Sequence, residues 1–265
     1  MLRKSFRRKF IMNEIYSLFL SSKYFSLKYK KYFKIYEDLL FRFKGKDITF
    51  IEIGIQNGGS LEIWQKYFGK KSKIIGIDLN PECKKFEKEN IIVEIGSQSD
   101  PNFWKNFFTK YGMVDVILDD GGHTNYQQIT TVNSCINSIK DGGLLITEDT
   151  HTSYMKNFNN PSKFSFINFA KKTVDDINFK FPKLGNFENS INNLVYSIEF
   201  FESMTVFRID RNRCDVNLKE TNNGISSKLK DMRFEEYSSS NRFVTKLKKI
   251  IKEKIKYFKL SKYFK

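Results

Sequence analysis

The chain has 265 residues, with 46 Lys and Arg against 30 Asp and Glu for a formal net charge of +16; 40% of the residues are hydrophobic and 16% aromatic. This excludes a disordered or collagen-like chain and leaves room for one sizeable core, not two. Cys83, Cys135 and Cys214 lie far apart with no C-x-x-C pair, which excludes a disulfide framework and fits a reducing compartment.

The charge is concentrated at the ends. Residues 1–46 hold 13 basic and 3 acidic groups and residues 211–265 hold 16 and 6, whereas residues 47–210 hold 17 basic and 21 acidic groups. The chain therefore divides into a basic, aromatic-rich helical extension (1–46), a mildly acidic central domain (47–210) and a basic tail (211–265). No apolar run approaches the roughly 18–20 residues of a membrane span. The basic cluster Arg3, Lys4, Arg7, Arg8 and Lys9 is followed by Asn13 and Glu14 without a small-residue cleavage site, so no signal peptide is expected and the expected location is cytoplasmic.

In chain order, Ile11 to Phe43 reads as one or two helices. From Asp47, strand-length apolar runs at 48–53, 73–78, 91–95, 114–119 and 143–148 alternate with helical segments at 59–68, 81–89, 101–110 and 125–140. This pattern predicts a doubly wound, mostly parallel α/β sheet. After a helix over 162–176, runs at 194–200 and 204–209 lie too close for a parallel crossover and predict an antiparallel hairpin at one edge, for seven strands in all. In the tail, Val244, Leu247, Ile251, Ile255 and Phe258 recur at helical spacing among lysines, predicting a basic amphipathic helix over 242–265.

The strand ends carry the chemistry. The first leads into Glu52-Ile-Gly54-Ile-Gln-Asn57-Gly58-Gly-Ser60, a glycine turn that lets backbone approach a ligand; it is neither G-x-G-x-x-G nor a Walker loop. The second ends at Asp78, placed to accept from ribose hydroxyls, and the third at Ser97-Gln98-Ser99-Asp100. The fourth ends in Asp119-Asp120-Gly-Gly-His123 and the fifth in Glu148-Asp149-Thr-His151, with both histidines of the chain beside carboxylate pairs. Converging carboxylates repel unless a cation neutralises them, and an oxygen-rich set suits Mg²⁺.

The glycine loop with Asp78 and the edge hairpin resembles the class I S-adenosylmethionine-dependent methyltransferases, a Rossmann-like fold. The D-D-G-G-H and E-D-T-H-T-S-Y motifs resemble the metal-dependent sugar O-methyltransferases of macrolide biosynthesis, the mycinamicin and macrocin type, over roughly residues 47–155. The resemblance implies S-adenosylmethionine held by Glu52, Gly54, Asn57, Gly58, Ser60, Asp78, Ser97, Gln98, Asp100 and Asp119. It implies Mg²⁺ or another divalent cation on Asp120, Glu148 and Asp149, with His123 as general base. His151 and Tyr154 would line the acceptor pocket. Two departures stand out: Gln56 replaces the middle glycine of the common G-x-G-x-G, and Gly122 stands where serine is common, a change expected to be tolerated.

The expected acceptor is a sugar or nucleotide sugar, such as a surface polysaccharide or capsule precursor. The basic tail would serve peripheral contact with the inner face of the plasma membrane, or contact between subunits of a homo-oligomer. The basic ends also motivate a nucleic-acid methyltransferase, against which stand the acidic body and the absence of an N-P-P-Y or D-P-P-Y motif. A membrane-surface protein with an inactive methyltransferase core is the remaining alternative.

Overall fold

A computed structural model describes residues 13–158, 163–181 and 190–225, together with 227, 229 and 254. Contacts divide the chain into one unit, Met1–Leu218, and a second, Lys219–Lys265. The helix expected over 242–265 lies outside the described residues, apart from Lys254, which is helical. No helix among the described residues is long and apolar enough to cross a membrane.

The first unit is built on a seven-stranded sheet in the order β3-β2-β1-β4-β5-β7-β6. Strands β1 (Thr49–Ile53), β2 (Lys73–Asp78), β3 (Ile91–Ile95), β4 (Val114–Asp119) and β5 (Ile139–Glu148) run parallel, and the hairpin of β6 (Val195–Phe201) and β7 (Met204–Ile209) adds antiparallel to β5. The chain order reverses between β1 and β4, where open α/β sheets form a ligand crevice beyond the carboxyl ends of the strands.

Alternation along β1 explains the two-layer core. Phe50 packs on one face with Ile15, Tyr32, Phe33, Tyr36, Trp64 and Phe68, while Ile51 and Ile53 pack on the other with Trp104, Phe107, Val132, Phe166 and Ala170. Glu52 shares the face of Phe50, so its carboxylate is driven into the interior, fully buried. On that face α1 (Glu14–Leu20), α2 (Tyr32–Leu40) and α3 (Gly59–Phe68) cover the sheet; the other carries α4 (Pro101–Tyr111), α5 (Asn125–Cys135) and α6 (Phe166–Phe179). Helix α2 buries Tyr32, Phe33, Tyr36, Leu39 and Leu40, a stripe at helical period.

Two elements differ from the sequence pattern. The segment expected to be helical over 81–89 is a six-residue 3₁₀ turn, Pro81–Phe86, because Glu87 is already extended and its carboxylate accepts from Val93 N at 3.0 Å in β3. The helix expected over 125–140 stops at Cys135, and from Ile139 the chain belongs to β5, with Ile139 opposite Val114.

Trp104 ties the core to the crevice: its ring is buried and its Nε1 donates to Gln98 O at 2.9 Å, just after β3. Trp104→Ala should cost about 3–5 kcal/mol in urea unfolding through the lost transfer energy and the cavity left behind. A loss below about 1 kcal/mol would contradict this account of the core.

Candidate active site

The crevice opens where five strand ends meet, and it is assembled largely by hydrogen bonds between loops. Asp78, at the end of β2, accepts through Oδ2 from the backbone N–H of Ile55 (3.0 Å) and Gln56 (2.9 Å) and through Oδ1 from Asn80 N (2.9 Å). It thus folds the glycine loop over β2. Gly54 has φ +84°, and a Cβ there would lie 2.2 Å from Asp120 O, so the close approach of the β1 and β4 ends requires glycine. Gln56, in place of the second family glycine, nevertheless adopts φ +38°.

A cavity of about 200 Å³ lies in this crevice, lined by Gly54, Gln56, Asp78 and Leu79 on one side and by Gln98, Gly121, Gly122 and Gln127 on the other. Of the residues expected to hold a donor, Gly54, Asp78 and Gln98 line it. Gly58 and Ser60 instead begin α3, with the Ser60 side chain buried, and Asn57 is exposed. Asp100 is the N-cap of α4, accepting from Asn102 N at 2.8 Å, and Ser97 Oγ accepts from Ser99 N at 3.2 Å. Asp119 is a structural anchor. Its Oδ1 accepts from Gln98 Nε2 (2.9 Å) and Gly121 N (3.2 Å), and burial pushes its carboxyl up to about 6.

Gln98 is the hub of that wall. Besides Asp119 it donates to Thr131 Oγ1 at 3.1 Å, and its Oε1 accepts from Gly122 N at 2.8 Å. The loop after β4 continues into α5, capped by a box in which Thr124 and Gln127 exchange hydrogen bonds. A Cβ on Gly122 would lie 2.2 Å from Gln127 Nε2, so a serine here requires the flexible Gln127 end to move.

Beside this cavity the two acidic clusters meet. Among the described residues, Asp120, His123 and Asp149 place ligand atoms within 4.8 Å of one another. His123 Nε2 is 3.9 Å from Asp120 Oδ1 and 3.6 Å from Asp149 Oδ2, and its buried Nδ1 has no hydrogen-bond partner among the described residues. His123 (φ +59°) and Asp149 (φ +54°) both occupy the left-handed region, sparsely populated by non-glycine residues and frequent at functional sites. The surroundings hold that conformation: Thr152 Oγ1 donates to His123 O at 2.9 Å, Gln128 Nε2 to Glu148 O at 2.9 Å, and Tyr32 Oη to Asp149 Oδ1 at 2.6 Å.

Glu148, the third expected ligand, is not one of these three. Its carboxylate accepts from Tyr36 Oη and lies 3.3 Å from Lys28 Nζ. Lys28 also meets Asp120 Oδ2 at 2.6 Å and Glu52 Oε1 at 3.4 Å, with its side chain 5% exposed. Burial alone would lower the lysine pKa; Asp120, Glu148 and Glu52 outweigh it and hold the ammonium well above its ordinary range. Burial raises the Glu148 and Glu52 carboxyls, with Lys28 pulling both the other way.

Sequence reasoning missed Lys28, Tyr32 and Tyr36. The helical spacing of Tyr32, Phe33, Tyr36, Leu39 and Leu40 is a signal from which a buried face could have been read, but nothing local distinguishes Lys28 from the other lysines of its segment. Beyond Asp149, a second cavity of about 430 Å³ is lined by Tyr29, Lys30, Lys31, Tyr32, His151 and the β6–β7 turn at Glu202 and Ser203. His151 belongs to it, bonded through Nδ1 to Ser203 Oγ and with its ring edge-on to Tyr29 at 5.8 Å. Tyr154 is 62% exposed and does not line this cavity.

The strand order and antiparallel edge are those of the class I methyltransferase fold. The mycinamicin-pathway methyltransferase MycE, solved in complex with Mg, S-adenosylhomocysteine and mycinamycin VI, superposes with a TM-score of 0.68 at 21% identity, covering 78% of this chain and 55% of that one. Within that fold the sequence is similar to sugar O-methyltransferases of macrolide pathways. Demethylmacrocin O-methyltransferase of Streptomyces fradiae is 30% identical over 179 residues, 63% of this chain and 44% of that protein. Mycinamicin VI 2''-O-methyltransferase of Micromonospora griseorubida is 30% identical over 149 residues, 52% of this chain and 37% of that protein. The chain thus matches less than half the length of either relative. No family model matches it.

Gln98→Leu keeps the side-chain size but strips partners from a buried carboxylate, a hydroxyl and a backbone N–H. It should cost about 2–4 kcal/mol in urea unfolding, because unpaired buried polar groups bear the full desolvation penalty. A change within 0.5 kcal/mol, taken as about the scatter of neutral substitutions, would remove Gln98 as the hub.

Proposed function

We propose that the chain carries the catalytic unit of a divalent-cation-dependent O-methyltransferase that moves a methyl group from S-adenosylmethionine to a sugar hydroxyl. The observation that carries this reading is the convergence of Asp120, His123 and Asp149 beside the glycine-loop cavity. Similarity to two O-methyltransferases supports the reaction class.

The residues fit a hard cation. Asp120 and Asp149 would present carboxylate oxygens to it, with Glu148 adjoining them, and among the described residues His123 Nδ1 has no hydrogen-bond partner. The cation would supply Lewis acidity, lowering the pKa of a sugar hydroxyl lying against it.

The remaining work falls to the chain. Gly54, Asp78 and Gln98 would border the donor in the smaller cavity, with Asp78 keeping the loop closed through its contacts to the backbone N–H groups of Ile55 and Gln56. His123 Nε2 would take the hydroxyl proton as the oxygen attacks the sulfonium methyl, and the carboxylates of Asp120 and Asp149 would stabilise the imidazolium formed. The acceptor would enter through the larger cavity, where Tyr29, Tyr32 and His151 offer aromatic surface to a pyranose ring. Lys30 lines the same cavity, where Lys31 is paired with Glu202, and would favour a phosphate-bearing acceptor, a nucleotide sugar or lipid-linked glycan precursor of a surface polysaccharide.

A screen of nucleotide sugars for S-adenosylhomocysteine release should give Mg²⁺-stimulated turnover that EDTA abolishes; sugar methylation unchanged by EDTA would remove the cation from the reaction. His123→Ala should lower kcat by about 10²–10⁴ while S-adenosylhomocysteine affinity stays within about threefold. Retained kcat would exclude His123 as the base.

A further inference from the structure

The proposed chemistry makes no use of Lys28, although it is the buried cation at the centre of the carboxylate cluster. It arrives on the segment 21–31 between α1 and α2, which contains neither helix nor strand yet is firmly braced. Ser22 Oγ donates to Gly59 O at 3.0 Å, and the Tyr24 ring stands edge-on to Phe86 at 5.3 Å. The carbonyls of Tyr24 and Phe25 press so close on Gly59 that a Cβ there would lie 2.4 and 2.5 Å from them. Beyond Lys28, Tyr29 abuts His151 and Tyr32 is bonded to Asp149. Such a segment delivers an ammonium to a fixed place.

That place is the back of Asp120. Its Oδ2 faces Lys28 Nζ at 2.6 Å, whereas Oδ1 faces His123 and, across it, Asp149. Lys28 therefore shares a carboxylate with the proposed cation seat without filling it. Four carboxylates, of Glu52, Asp120, Glu148 and Asp149, meet here; Lys28 touches the first three. Buried charges that lose their partner are strongly destabilising, and the attraction felt by an arriving dication grows with every uncompensated carboxylate.

We propose that Lys28 is a built-in counter-ion that stabilises the carboxylate cluster before a divalent cation binds and, by sharing Asp120, sets the affinity with which that cation is held. It acts through Asp120 and is thus a positioning residue. The inference rests on the proposed cation seat at Asp120 and Asp149.

Mn²⁺ binding by calorimetry on the full chain, without donor or acceptor, tests it. Lys28→Met should bind Mn²⁺ at least tenfold more tightly than wild type. Lys28→Met combined with Glu52→Gln restores the charge balance and should return the Kd to within threefold of wild type. An unchanged or weaker Kd in Lys28→Met overturns the proposal. Should Lys28→Met alone fail to fold, the double variant must fold by circular dichroism and bind Mn²⁺ like wild type; failure of either overturns it. Wild-type protein that binds no Mn²⁺ refutes the cation seat itself, an outcome distinct from equal binding by wild type and Lys28→Met.

Discussion

Repulsion among carboxylates at the carboxyl edge of the sheet is the constraint around which this molecule is arranged. Glu52, Asp120, Glu148 and Asp149 come from three adjacent strand ends, β1, β4 and β5, and parallel pairing in fixed register leaves them no means of separating. Like charges at this spacing raise one another's pKa or require cations and donors. The chain answers with Lys28, with the hydroxyls of Tyr36 and Tyr32, and with the His123 imidazole between Asp120 and Asp149. These partners come largely from the segment before the sheet, so the site is complete only when that segment packs down.

The same edge concentrates unusual backbone. Gln56, His123 and Asp149 all have positive φ without being glycine, and each follows a strand end by at most four residues. Their strain is held by ordinary bonds elsewhere: Asp78 on the glycine loop, Thr152 on His123, Tyr32 on Asp149. Gln98 and Asp119 stiffen the wall between the smaller cavity and the acidic clusters. The methyl transfer proposed for the site would demand close alignment of donor, acceptor oxygen and base, and rigid strand ends with braced loops are suited to provide it.

Much of this was legible in the sequence. The alternation of apolar runs located the strands, the short gap before Met204 exposed the antiparallel hairpin, and D-D-G-G-H with E-D-T-H marked the strand ends that meet. Elements were misjudged where a tertiary contact overrides local pattern: Glu87 leaves a helical stretch to bind β3, and Ile139 pairs with Val114 where the periodicity continues a helix. Asp100 and Asp119, expected beside the donor, also serve as a helix cap and a loop anchor, roles that motif spacing does not reveal. Lys28 was invisible because its role depends on contacts 24, 92 and 120 residues away in sequence.

The uneven net charge also takes on a different meaning. Within the described residues, the N-terminal basic segment supplies an internal counter-charge, Lys28, besides whatever its surface lysines meet. The most direct test of the account is anomalous scattering from a crystal soaked in Mn²⁺. One peak is expected between the carboxylates of Asp120 and Asp149, next to His123 and with Lys28 still on the far oxygen of Asp120. A saturated soak with no peak there, or with the ion held elsewhere, would contradict it.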